Sequence, residues 1–124
     1  GEISRIALAI EMVISNLLKR QTLIFDEIDV GISGRVAIQV AKKIGILSKS
    51  LQILCITHLP QTACIADKHY KIAKKVIDRH TFAEADLLNE SQHLNAIALM
   101  ISGTYDSASA LESAREMEKS VKNG

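Results

Sequence analysis

The chain has 124 residues, 48% of them hydrophobic, which is enough for one folded domain with a substantial core. Fifteen basic residues nearly balance fourteen acidic ones, so the net charge favours neither a nucleic-acid-coating surface nor a membrane-surface binder. Two Phe, two Tyr and no Trp leave little aromatic surface for stacking single-stranded bases. Any contact with DNA must therefore be local or lie in another part of a longer protein.

Cysteine usage and the first residues bear on the compartment. Cys55 and Cys64 form the only pair that a disulfide could join, and one pair beside an adequate core is not typical of a secreted, disulfide-rich domain. No apolar run is long enough to span a membrane, and residues 1–5 are not a cationic leader. We therefore expect a cytoplasmic protein with no membrane contact. Helical periodicity within the first three residues and the lack of an initiator Met indicate a piece of a longer chain.

The first half of the chain predicts a helix, a strand, a helix and a second strand. Apolar residues recur every three or four positions from Ile3 to Leu17, which predicts a largely buried helix. The apolar run 22–25 ends in two acids, as a central parallel strand does, and 51–56 is the next strand. Ser33 can cap the helix between them. Its predicted inner face is Val36, Val40, Ala41, Ile44 and Leu47. This order predicts a βαβ unit with parallel pairing.

The second half predicts edge strands and closing helices. A short helix should run from Pro60 through Ile65, and residues 70–76 alternate as a half-exposed edge strand does, with residues 80–85 able to pair with them. Two helices follow, one ending at Gly103 and one starting after a Ser107 cap. Their predicted inner faces are Leu94, Ile97, Ala98 and Ile101, then Leu111, Ala114, Met117 and Val121. The predicted fold class is α/β with a parallel sheet, in a single domain spanning residues 1–124.

Two adjacent acids, Asp26 and Glu27, follow the first strand. Open parallel sheets bind ligands beyond the carboxyl ends of their strands, where both acids would lie. Mg²⁺ keeps much of its hydration shell, so Asp26 suits a Mg²⁺ held through water beside a nucleotide phosphate. Neighbouring residues on a strand point to opposite faces, which leaves Glu27 free to orient or deprotonate an attacking water. By themselves, the two acids could equally mark a solvated turn.

Three motifs lie at the predicted edges of elements. Residues 26–34, Asp-Glu-Ile-Asp-Val-Gly-Ile-Ser-Gly, are similar almost residue for residue to the Walker B to D-loop stretch of the RecN family of SMC-like ABC ATPases. Residues 55–61, Cys-Ile-Thr-His-Leu-Pro-Gln, resemble its switch loop, and residues 1–5, Gly-Glu-Ile-Ser-Arg, resemble the tail of its signature motif. The resemblance covers nearly the whole chain, although residues 78–90 match weakly. It implies the carboxy-terminal part of an ABC ATPase head with a P-loop NTPase-like fold.

The resemblance also implies roles for individual residues. Asp26 would help to hold Mg²⁺, Glu27 would orient or deprotonate the attacking water, and His58 would contact the γ-phosphate of ATP. A second head would meet the signature remnant and the D-loop stretch. Those residues are Gly1, Glu2, Ser4 and Arg5, with Asp29, Val30, Gly31, Ile32 and Ser33. The implied partners are the amino-terminal half of the same head, a second head in a homodimer, and DNA through the full-length protein, in a DNA double-strand-break repair protein associated with the nucleoid.

The chain departs from the family pattern in three ways. No Gly-x-x-x-x-Gly-Lys-Ser/Thr occurs, so the loop that cradles the phosphates is not in these residues. The signature is truncated, since its Ser and first Gly would precede Gly1. Ser33 stands where many ABC D-loops carry Asp, which puts contacts inferred from ABC transporters in doubt. We do not expect this segment alone to hydrolyse ATP.

Other interpretations compete with this one. One alternative is a zinc site whose ligands would be Cys55, His58, Cys64 and His69, but no Cys-x-x-Cys pair is present. The sequence favours Cys55 as a packed strand residue and His69 as an exposed strand residue. A phosphoacceptor or metal-dependent hydrolase could use Asp26, Glu27 and Asp29 around Mg²⁺, although a receiver domain would want a Lys at a later strand end. A non-catalytic module for head dimerisation or scaffolding is the second serious class.

Overall fold

The computed structural model describes residues 2–18, 22–26, 28–103 and 108–122. These residues form five helices and four strands. In chain order they are α1 (Glu2–Leu18), β1 (Thr22–Asp26), α2 (Gly34–Leu47), β2 (Gln52–Ile56), α3 (Pro60–Ala63), β3 (Tyr70–Ile77), β4 (His80–Leu87), α4 (Glu90–Ser102) and α5 (Ala108–Lys122). No helix in the described part of the chain is long and apolar enough to cross a membrane.

The βαβ unit forms as predicted. β1 and β2 pair in parallel, with Thr22 opposite Gln52 and Asp26 opposite Ile56. Side chains alternate along β1, so Leu23 and Phe25 point into a core while Ile24 is exposed. The strands contribute one face to the first core cluster, and α2 packs against that face. The other sheet face has no cover within the described residues.

The buried stripe of α2 begins one position later than predicted. Val36 is exposed and Ala37 is fully buried in its place. The rest of the stripe is as predicted, namely Val40, Ala41, Ile44 and Leu47. Ser33 occupies the N-cap position with extended backbone, but its side chain makes no capping hydrogen bond, so that predicted interaction is wrong.

The closing helices form a second core cluster. Ile97 and Ala98 of α4 and Ala114 and Val121 of α5 are buried, as the periodicity predicts. α4 begins with a capping box, in which the Asn89 side chain accepts from the Gln92 backbone N–H and the Gln92 side chain accepts from the Asn89 N–H. It ends at Gly103 in the left-handed conformation, as expected. The predicted Ser107 cap lies outside the described residues.

Strands β3 and β4 form the predicted hairpin. Tyr70 pairs with Leu87 and Ile77 with His80, which leaves Asp78 and Arg79 as a two-residue turn. Both turn residues have positive φ, 48° and 64°. This conformation matches the twist of the flanking strands but costs energy for side chains other than Gly.

The first helix differs most from its prediction. It runs over Glu2–Leu18, but among the helix residues whose burial is described only Leu8 belongs to the buried core, while Ile3, Ile6, Ile10 and Val13 are at least half exposed. The prediction of a largely buried helix is therefore wrong for this segment. An amphipathic pattern indicates that a face needs cover but not which part of a protein supplies it.

Candidate functional site

The two parallel strands bring the predicted acid and imidazole to one edge of the sheet. Asp26 is the last residue of β1 and is exposed, and its partner Ile56 is the last residue of β2. His58 follows two residues later, with 64% of its side chain exposed. Glu27 lies outside the described residues. The structure thus places Asp26 and His58 at the carboxyl edge where open α/β sheets bind ligands.

The loop after β1 alternates between anchored and exposed residues. Ile28 and Ile32 are buried in the first core cluster, whereas Val30 is 47% exposed and Ser33 is also exposed. Gly31 has a φ of 74°, a left-handed conformation that glycine adopts without a steric penalty. The loop therefore presents three of its predicted contact residues outward, while Ile32 serves to hold it.

Asp29 lies at the centre of this loop and is fully buried. Its Oδ2 accepts a hydrogen bond from the Thr57 hydroxyl, which joins the first loop to the one after β2. The Thr57 Oγ1 in turn accepts from the Leu59 backbone N–H at 3.0 Å. A carboxylate engaged inside the protein is not open to a ligand, which distinguishes Asp29 from the exposed Asp26.

The second oxygen of Asp29 faces His58. Its Oδ1 finds no hydrogen-bond partner among the described residues, and it lies 3.8 Å from His58 Nδ1. That separation is longer than a hydrogen bond. Burial, and secondarily the negative charge of Asp29, raise the pKa of the nearby Cys55 thiol to about 11, so Cys55 is a protonated, packed residue.

Sequence reasoning missed the link between Asp29 and Thr57. Both residues stood inside quoted motifs, but neither was expected to hold the other. The available signal was a short polar side chain within three residues of the end of each of two adjacent parallel strands, since such residues can meet at one sheet edge. Their separation of 28 positions hides the contact from any local pattern.

The exposed groups at this edge fit phosphate and magnesium chemistry. The described residues contain no group of three or more His, Cys, Asp or Glu arranged to hold a metal ion. Mg²⁺ at nucleotide sites is commonly held by one or two carboxylates together with water and phosphate oxygens. Asp26 supplies one such carboxylate, and the exposed His58 ring can donate to an anion.

The amino terminus of α1 is defined only in part. The helix begins at Glu2, an exposed acidic residue in its first turn, so the predicted helix start is confirmed. Gly1 and the side chains of Ser4 and Arg5 lie outside what the structure describes. Their predicted contacts with a second head stay predictions.

His69 is not the exposed strand residue that the sequence suggested. It lies just before β3, half-buried, and its Nδ1 is 2.9 Å from Nδ1 of His93 on α4. Burial lowers the pKa of both imidazoles. His93 Nε2 also lies 3.9 Å from Glu118, which pairs with Lys122. The pair ties the hairpin to the closing helices, away from His58.

The fold matches a solved ATPase structure. It superposes with a TM-score of 0.60 on a chain from work on ATP-driven dimerization and DNA-stimulated activation of SMC ATPases, covering 86% of this chain and 63% of that one. The two share 21% sequence identity, so the likeness concerns fold. Over the part that it covers, the chain therefore shares the α/β P-loop NTPase fold of that structure.

Sequence comparison gives the family, although no protein-family profile matches the chain. The chain is 41% identical over 117 residues to DNA repair protein RecN of Haemophilus influenzae, 43% over 117 to that of Halalkalibacterium halodurans, and 41% over 119 to that of Bacillus subtilis. These alignments cover 94–96% of the chain but 21% of each relative, in its carboxy-terminal part. The chain belongs to the RecN family of DNA repair proteins and spans about a fifth of the length of its relatives.

Proposed function

We propose that this segment forms the carboxy-terminal part of an ATPase head that binds and hydrolyses ATP with Mg²⁺ at an interface between two heads. The observation that carries the proposal is the placement of Asp26 and His58 at the same carboxyl edge of adjacent parallel strands. The RecN relatives and the SMC-type fold support it. In the complete protein, this cycle would control how DNA ends are held during double-strand-break repair.

Each residue at the edge has one role in the proposal. Asp26 holds Mg²⁺ through water, because a single exposed carboxylate suits an ion that keeps its hydration shell. Glu27 orients or deprotonates the water that attacks the γ-phosphate, and His58 donates to that phosphate. When bound, Mg²⁺ neutralises phosphate charge.

The second head would meet two surfaces of this segment. One is the helix start at Gly1, Glu2, Ser4 and Arg5, since backbone N–H groups at a helix amino terminus favour an anion. The other is the loop Val30 to Ser33, most of which is exposed. Ile32 acts there by anchoring the loop in the core.

The amino-terminal half of the same head is the proposed cover for the unpartnered apolar surfaces. Ile24 and Leu54 lie side by side on the open face of the sheet, where their exposed fractions are 67% and 49%. An open groove of 1390 Å³ separates β2 from the start of β3 and from α4. Parallel sheets normally carry cover on both faces and more than two strands. The missing half would add strands, cover and the phosphate-cradling loop.

DNA would be contacted by the full-length protein in the cytoplasm, on the nucleoid. The nearly neutral net charge of this segment supplies no strong overall attraction to the DNA backbone. The relatives are named as DNA repair proteins, which supports the role without fixing which DNA structure is bound.

The test compares Glu27→Gln with unchanged protein in the full-length parent. ATP turnover is measured by phosphate release, and dimerisation is followed by light scattering with and without ATP. Removing a general base typically costs on the order of 100-fold or more in rate. We expect that loss, together with a dimer that persists longer in ATP. Glu112→Gln, an exposed change on α5, is the matched control.

A scaffold module that engages nucleotide without turnover is the alternative. It predicts that Glu27→Gln leaves both turnover and ATP-dependent dimerisation unchanged, because a scaffold does not need the carboxylate. That result would overturn the catalytic assignment of Glu27.

A further inference from the structure

One buried charge remains unexplained by the roles above. Asp29 is fully buried, and a carboxylate taken out of water needs hydrogen bonds to both oxygens to offset its lost hydration. Thr57 serves Oδ2, whereas Oδ1 has no hydrogen-bond partner within the described residues. A buried polar atom of this kind is expected to have a functional or structural reason.

The nearest polar group to that oxygen is an imidazole nitrogen of the proposed site. His58 Nδ1 lies 3.8 Å from Oδ1, so a movement of about 1 Å would bring it within hydrogen-bond range. A carboxylate only accepts, so Nδ1 must carry a proton in that contact, and donation from Nε2 to a phosphate requires a second proton on the ring. The hydrogen bond made by one ring nitrogen orients the whole ring, so Nε2 is then directed away from Asp29.

Thr57 fixes the other side of the arrangement. Its hydroxyl donates to Asp29 and accepts from the Leu59 N–H, which sets the backbone turn on either side of His58. The loop after β1 and the loop after β2 are thereby joined by one buried side chain. Ile28 and Ile32 hold the first loop in the core.

We infer that Asp29, held by Thr57, is a positioning residue that orients His58 by accepting a hydrogen bond from Nδ1, so that Nε2 faces the nucleotide. The inference rests on the proposed function of His58. It assigns Asp29 a role inside the protein, in place of direct contact with the nucleotide or with a second head. It also couples the loop that meets the second head to the group that meets the phosphate.

The test is a double-mutant cycle in the full-length parent. Asp29→Asn keeps an oxygen that can accept from Thr57 and replaces the acceptor facing His58 with a donor. We expect roughly a tenfold or greater loss of kcat, in line with coupling between contacting groups, while the Kd for ATP changes by less than about twofold. In a His58→Ala background the same substitution should have no further effect on kcat. Asp86→Asn, on the exposed face of β4, is the matched control.

Thr57 supplies a second, independent variant. Thr57→Val removes the hydroxyl at nearly constant shape and should lower kcat, whereas Thr57→Ser keeps the hydroxyl and should restore most of it. Thr81→Val, an exposed change on β4, controls for the loss of a hydroxyl. Thermal unfolding of every variant separates poor folding from poor positioning.

Two failures can be told apart. If His58→Ala alone leaves turnover unchanged, the proposed function of His58 is wrong. If His58→Ala lowers turnover but Asp29→Asn lowers it by the same factor in both backgrounds, the proposed function stands and the positioning role is refuted. Failure of Thr57→Ser to restore turnover after a loss in Thr57→Val would also overturn it.

Discussion

Ile97 should be the most sensitive packing position in the second core cluster. It is fully buried on α4, and its neighbours in the cluster include Ala41, Ala63, Ala110 and Ala114. Alanine side chains cannot rotate to fill a space, so a truncated Ile97 would leave a cavity that stays open. Because packed interiors tolerate few voids, the full cost of the cavity should appear in the stability.

The expected cost of Ile97→Ala follows from two contributions. Removing three buried carbons costs about 2.4 kcal/mol at roughly 0.8 kcal/mol each. The unrelaxed cavity adds about 1 kcal/mol, which gives about 3–4 kcal/mol in all. For a chain of 124 residues, each kcal/mol corresponds to about 4 °C in Tm, so Tm should fall by about 12–16 °C.

Urea unfolding and thermal melts of the 124-residue chain provide the measurement, repeated with the full-length parent. Ile46→Ala on α2 is the matched control, because that side chain is 53% exposed and its truncation should change stability by less than about 0.5 kcal/mol. A loss below about 1 kcal/mol for Ile97→Ala would show that the two closing helices do not enclose a packed core.

Two further predictions concern the hairpin and its connection to α4. Burial lowers the pKa of His69 and His93, so the unfolded chain binds more protons than the folded chain at acidic pH. The stabilising contribution of this pair should be fully present above pH 6.5 and should fall as the pH drops below it. His93→Gln should weaken this pH dependence, measured as urea midpoints at pH 7.5 and 5.5, whereas the control His80→Gln at the exposed turn should not. Arg79→Gly should raise the free energy of unfolding by about 1 kcal/mol, because the turn holds this residue at positive φ; a decrease would contradict the turn assignment.

Local pattern predicted the elements well because their determinants are local. Short apolar runs predicted β1 and β2, alternation predicted β3, and three-to-four-residue spacing predicted the closing helices, whose inner faces are as expected. The start of the α2 stripe was misjudged because Val36 and Ala37 are both apolar, and periodicity alone does not choose between adjacent apolar positions.

The failures involve contacts between distant parts of the chain. The exposed face of α1 has no cover among the residues that the structure describes, and periodicity within the helix could not reveal that. His69 looked like a surface residue because its partner His93 is 24 positions away. The Asp29 to Thr57 bond spans 28 positions and was hidden for the same reason. Motif resemblance found the edge of the sheet, but not the buried hydrogen bond that organises it.

The buried bond suggests how half of a site can hold its shape alone. Asp26 and His58 are placed by neighbouring strands, and the loops beyond those strands are joined through Asp29 and Thr57 inside the protein. All of these contacts join residues of this segment. Preorganised groups need little rearrangement when charge develops on a phosphate, which is the main requirement of phosphoryl transfer. The other half would then supply the phosphate cradle to a sheet edge that already carries both the acid and the imidazole.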